Sequence, residues 1–189
     1  AAIAECRTKM AEAEARIFKP IIGCEMYVAR RTMAHREGKP DQSGYHLVVL
    51  AKNEKGYHNL IKLVSRAWTK GYYMRPRTDR SELEKYHEGL IVCSACIAGE
   101  VPRALINDQL DKAEEAIQWY KNLFGDDYYL ELQRHEVTNP NIHANREAFP
   151  LEQKANVQML ELAKKYNIKV ICTNDVHFVD EENAEAHDR

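Results

Sequence analysis

The chain has 189 residues, 44% of them apolar and 30% charged, with a formal net charge of -2. That length supports one domain-sized core, and no run of about eighteen apolar residues exists to span a bilayer. The near-neutral balance excludes bulk attraction to a polyanion, so any nucleic-acid contact must come from local patches.

Helix-forming residues 1–18, with Ile3, Met10 and Ile17 sparsely spaced, predict a mostly solvated helix stopped by Pro20. Residues 21–29 read as a strand, residues 30–44 as a polar loop and residues 45–51 as a second, buried strand. In residues 54–68, Leu60, Ile61, Val64, Ala67 and Trp68 recur at helical spacing. A basic, aromatic connection over residues 70–80 leads through a short helix capped by Ser81 to a buried strand at residues 89–94. Helices follow at residues 97–107 and 111–124, then a strand at 127–133, a loop at 134–146, a helix at 147–166 and a last strand at 168–173. This alternation predicts an α/β fold of about five strands, mostly parallel and joined through right-handed crossovers. Residues 19–189 form one domain behind the helix of residues 1–18. The start at Ala1 without methionine and the charged helical pattern up to Arg189 predict that both ends are cuts from a longer chain.

In such folds the ends of the strands carry the chemistry. Glu25 sits in the first strand, His46 in the second, Cys96 just beyond the third, and Asp175 with His177 just past the last. A carboxylate, imidazole and thiolate set suits zinc, manganese or iron, and such ions activate water and neutralise phosphoryl charge. Singly, each residue has a structural alternative: Glu25 paired with a base, His46 satisfied in the core, Cys96 as a small apolar group. Asp175 and His177, two apart, reach the same side of an extended segment. The pair Cys93 and Cys96 has zinc-knuckle spacing but no second such pair, and the odd set Cys6, Cys24, Cys93, Cys96 and Cys172 predicts reduced thiols in a cytoplasmic setting. Among the basic and aromatic residues 62–80, Lys70, Arg75 and Arg77 are candidate nucleic-acid contacts. The alternative there is an amphipathic helix and solvated loop whose aromatics pack on the core. Arg30, Arg31, His35, Arg36 and Lys39 make a second basic loop.

Four segments carry a resemblance: Lys19-Pro20-Ile21-Ile22-Gly23-Cys24-Glu25, Tyr45-His46-Leu47-Val48-Val49-Leu50-Ala51-Lys52-Asn53, Cys96-Ile97-Ala98-Gly99-Glu100-Val101-Pro102 and Thr173-Asn174-Asp175-Val176-His177. In this order they resemble the polymerase and histidinol phosphatase (PHP) domain of the catalytic alpha subunit of bacterial DNA polymerase III. The resemblance implies a distorted seven-stranded α/β barrel, here an incomplete (β/α)7 barrel, with up to three metal ions at the strand ends. It matches Glu25, His46, Cys96, Asp175 and His177 to metal ligands, and implies phosphoesterase chemistry with 3'-to-5' exonuclease activity in some members and a scaffold role in others. For the parent it implies DNA-directed DNA polymerisation with magnesium, DNA as partner, a separate proofreading subunit and no membrane. Family members also carry a His-x-His and a Thr-Asp-His segment, supplying four further ligands, before the position of Ala1. Polymerising domains follow the position of Arg189. Little phosphoesterase activity is therefore expected of this chain alone. The rival readings are a scaffold domain and a stand-alone PHP phosphatase.

Overall fold

The structure, a computed structural model, describes residues 8–9, 20–136, 147–177 and 179. Apart from Thr8 and Lys9, which are helical, the helix expected over residues 1–18 lies outside the described residues, as does most of the loop expected over residues 134–146. The described chain runs β1 (Gly23–Ala29), α1 (Gly38–Asp41), β2 (Gly44–Ala51), α2 (Glu54–Thr69), β3 (Arg77–Thr78), α3 (Arg80–Tyr86), β4 (Leu90–Cys93), α4 (Glu100–Ile106), α5 (Leu110–Phe124), a 3-10 turn (Gly125–Asp127), β5 (Tyr128–Gln133), α6 (Ala148–Tyr166) and β6 (Lys169–Thr173). None of the described helices is long and apolar enough to cross a membrane.

The α/β class is as expected, in one six-stranded sheet of order β3-β1-β2-β4-β5-β6. The sixth strand is β3, whose two residues are too few to show alternation in sequence. The pairing is mostly parallel, as expected: β1 with β3, β4 with β5 and β5 with β6 are parallel, whereas β2 runs antiparallel to both β1 and β4. The cause is the connection over residues 30–43, which contains only the single turn α1. Without a crossover helix, the chain returns beside β1 as a wide hairpin.

Leu47 and Val49 of β2, Val92 of β4 and Leu130 of β5 lie at 2% exposure or less, under Leu63 of α2, Leu105 of α4 and Ile117 of α5. Each such side chain contributes about 1.5–3 kcal/mol by leaving water. The apolar stripe expected on α2 divides: Leu60 and Ala67 are buried, whereas Ile61 and Trp68 are exposed. Asn53 caps this helix by accepting from Gly56 N–H at 2.9 Å. A side chain at Gly56 would collide with the Gly89 carbonyl, its Cβ falling 1.7 Å from that oxygen, so glycine lets α2 dock on the start of β4. The cap of α3 is Asp79, not Ser81: the Asp79 carboxylate accepts from Glu82 N–H at 3.1 Å, and Ser81 Oγ donates to the same carboxylate.

The loop over residues 30–43 is held from within. Arg77 is fully buried and its guanidinium donates to the carbonyls of Met33, His35, Asp41 and Gly71. Asp41, also buried, pairs with Arg31 and accepts from Glu37 N–H at 2.9 Å. The Arg31 hydrogen bond and then the Glu37 amide hold its carboxyl down at about 2. The stabilisation from Asp41 is thus present above the ordinary carboxyl value of about 4 and is lost as the pH falls toward 2. Asp41→Asn is expected to lower the unfolding midpoint at neutral pH and to flatten the fall in stability between pH 4 and 2, as read by urea denaturation across that window.

Candidate metal centre

The antiparallel register of β1 and β2 sets Glu25 opposite Val48 and Tyr27 opposite His46. Residues two apart share a face, so Glu25 and His46 are diagonal neighbours on one side of the sheet. Glu25 Oε1 stands 2.6 Å from His46 Nδ1. Cys96 arrives from the turn after β4, its Sγ 3.4 Å from the same nitrogen. Three ligand atoms from three separate segments thus lie within 4.8 Å of one another. The reversal of β2 makes this possible. Had β2 run parallel to its neighbours, His46, near the strand's start, would stand at the far edge from Cys96.

The turn that carries Cys96 is tightly made. Ala95 takes a left-handed conformation with φ 62°, which costs a non-glycine residue about 1–2 kcal/mol. Gly99 N–H donates to the Cys96 carbonyl at 2.8 Å, and His46 N–H donates to the Ala98 carbonyl at 3.2 Å. A Cβ at Gly99 would fall 2.0 Å from the Ser94 carbonyl oxygen, so the turn closes only around glycine.

The electrostatics favour positive charge at the centre of the cluster. Hydrogen bonds to Cys96 and Glu25 push the His46 imidazole up to about 10, against the opposing effect of burial. The hydrogen bond to His46 holds the Glu25 carboxyl below its usual range, and the charge of His177 adds to this. Donors around one zinc-sized ion, at about 2.0–2.3 Å from it, stand roughly 3.3–3.8 Å apart in tetrahedral geometry. The Cys96 to His46 separation of 3.4 Å fits that spacing, whereas the Glu25 to His46 contact of 2.6 Å is a hydrogen bond that an ion would replace. Among the described residues the cluster offers one nitrogen, one oxygen and one sulfur donor, a mixed set that suits a divalent ion of the zinc, manganese or iron class.

Asp175 and His177 follow β6 at the sheet edge where Cys96 follows β4, since β4, β5 and β6 are parallel. They stand outside the three-residue cluster. Asp175 N–H donates to His135 Nε2 at 3.1 Å, and His135 in turn pairs with the buried Glu152 through its ring and donates its backbone N–H to that carboxylate at 2.8 Å. Cys93 and Cys96 are free thiols, and burial pushes the Cys93 thiol up to about 12, which leaves it inert at neutral pH.

The basic patch separates into parts. Arg77 is corrected as a nucleic-acid contact: it has 0% exposure, and its donors are spent on the backbone of the loop over residues 30–43 and on Gly71. Lys70 and Arg75 are exposed. The Arg75 guanidinium lies 5.8 Å from the Tyr27 ring centroid, and Tyr27 meets His46 edge-on at 5.0 Å, so Arg75 flanks the cluster. Trp68 and Tyr72, both exposed, stack at 5.7 Å.

Sequence reasoning missed the groups beneath the site. Glu131 and Gln133 lie on one face of β5, at 4% and 7% exposure. Burial lifts the Glu131 carboxyl above its usual range, against the hydrogen bonds from Thr173 and the Ala95 amide, and Glu25 and Asp175 lift it further. The signal available was a strand with polar residues two apart, which reads equally well as a solvated face.

The PHP domain family matches residues 2–135, a span that contains Glu25, His46 and Cys96. The chain is 39% identical over 178 residues to the DNA polymerase III subunit alpha of Borreliella burgdorferi, covering 94% of this chain and 14% of that protein. It is 40% identical over 172 residues to the subunit of the same name from Thermus aquaticus, covering 90% and 13%, and 38% identical over 175 residues to that of Aquifex aeolicus, covering 89% and 14%. The chain therefore spans about a seventh of the length of these relatives.

Proposed function

The chain belongs to the PHP domain family and is homologous to the alpha subunit of DNA polymerase III, and from that membership we propose that it is the metal-binding phosphoesterase-type domain of a replicative DNA polymerase. The observation that carries the reading is the convergence of Glu25, His46 and Cys96 within 4.8 Å. In it, Glu25, His46 and Cys96 hold a divalent ion of the zinc, manganese or iron class, and Asp175 and His177 serve ions at the same edge. A bound ion would polarise a phosphoryl oxygen and lower the pKa of water. Arg75, beside Tyr27 at the rim, attracts a phosphodiester through its guanidinium, and Lys70 adds charge along the same approach. The turn around Gly99 holds the Cys96 thiol against the His46 ring. For the whole protein the proposal extends to magnesium-dependent DNA polymerisation, to DNA and a proofreading subunit as partners, and to the cytoplasm as location.

The test is hydrolysis of bis(p-nitrophenyl) phosphate and of single-stranded DNA with manganese or zinc. The 189-residue chain is compared with the same chain extended by His-x-His and Thr-Asp-His segments of the PHP type. Metal-dependent hydrolysis by the extended chain, abolished by His177→Ala and nearly absent from the shorter one, is the expected result. Metal binding without hydrolysis in either would favour a scaffold role. Equal rates in both chains would mean that the further ligands are dispensable and that the site has been misassigned.

A further inference from the structure

Glu131 reaches both segments that carry metal ligands. Its Oε2 accepts from the backbone N–H of Ala95, the residue before Cys96, at 2.5 Å. Its Oε1 accepts from Thr173 Oγ1 at 2.8 Å, two residues before Asp175. Its own N–H donates to Ser94 Oγ at 2.9 Å, and Gln133 supports Thr173 from the same face of β5 with a contact of 3.3 Å. Among the described residues no cation pairs with this buried carboxylate, and the carboxylates nearest to it in effect, Glu25 and Asp175, repel it. Burying an acid without a counter-ion is costly, which points to a use for its two oxygens beyond filling the core.

We infer that Glu131 is a positioning residue that spans the Cys96 turn and the segment leading to Asp175 and His177, and so sets the separation of the two halves of the metal centre. The inference rests on the metal-binding reading above. Glu131 touches no ligand atom. It holds Ala95 in its left-handed conformation from below, which fixes the direction in which Cys96 leaves the turn, and it anchors the last residue of β6. Reach is the essential property, because one side chain must meet two partners on different strands.

Cobalt(II) titration of the 189-residue chain tests this, followed by the thiolate-to-cobalt charge-transfer band that reports on Cys96. Glu131→Gln keeps the length: its carbonyl accepts from Ala95 N–H and its amide donates to Thr173 Oγ1, which has lone pairs to receive it. Glu131→Asp keeps the charge but is shorter by about 1.5 Å, too short to meet both partners. The glutamine variant is expected to bind cobalt within about threefold of the wild type and the aspartate variant about 10- to 100-fold more weakly, the range found when groups that orient metal ligands are altered. Thermal unfolding checks that each variant melts cooperatively. Thr173→Val removes one of the two partners, is expected to weaken cobalt binding in the same direction, and substitutes for the aspartate variant if that one fails to fold. A weakened glutamine variant would overturn the inference in favour of charge. Wild-type affinity in the aspartate and valine variants would overturn it while the metal reading stands. No charge-transfer band in the wild type would overturn both.

Discussion

Replacing Arg77 by methionine is expected to destabilise the fold by about 4 kcal/mol or more. Methionine keeps most of the apolar stem and removes the planar head that donates to Met33, His35, Asp41 and Gly71. Each buried carbonyl left without a donor costs about 1–3 kcal/mol; those of Asp41 and Gly71 meet the guanidinium in the buried interior, and those of Met33 and His35, part-buried, add less. Lysine would be a poor rescue, because a single ammonium cannot reproduce the planar fork that meets carbonyls on both sides of the loop. The same loop returns the chain from β1 to β2, so its loss loosens the register that sets Glu25 beside His46. Urea unfolding followed by far-ultraviolet circular dichroism checks the value. A loss under about 1 kcal/mol, the size of an ordinary surface substitution, would show that water can take over the four carbonyls.

Arg77 also shows where reading the sequence reaches its limit. Arg75-Pro76-Arg77 lies in a polar, aromatic stretch, and nothing local distinguishes the exposed arginine from the buried one. The difference is made by a loop some forty residues earlier, whose carbonyls supply the acceptors. The direction of β2 was hidden for a related reason. Its apolar run suits either direction, and the deciding feature is the lack of a crossover helix in residues 30–43. By contrast, α2 was legible because Leu60, Ile61, Val64, Ala67 and Trp68 recur at helical spacing, although the face that is buried runs through Leu60, Leu63 and Ala67, and β5 was legible by its alternation. The cluster of Glu25, His46 and Cys96 could be picked out by residue type near strand ends. Its assembly could not be derived that way, since it depends on the antiparallel diagonal between β1 and β2. Glu131 and Glu152 escaped notice because a glutamate in a strand or helix ordinarily faces water.

If Glu25, His46 and Cys96 jointly hold one ion, zinc K-edge X-ray absorption of the zinc-loaded chain will show all three donor types around it. His46 is the hub: both of the other donors contact its Nδ1, at 2.6 and 3.4 Å. Glu25 and Cys96 are linked through it. Removing it leaves a carboxylate and a thiol without the donor between them, and His46→Ala is expected to weaken zinc binding by about 100-fold or more, beyond the effect of altering a group that merely orients a ligand. In the wild-type chain the spectrum should show one sulfur at about 2.3 Å and nitrogen or oxygen neighbours at about 2.0–2.2 Å. In His46→Ala at the same zinc concentration, the sulfur shell should be lost. A wild-type spectrum with oxygen and nitrogen alone, or a sulfur shell that persists undiminished without His46, would mean that these three residues do not share an ion.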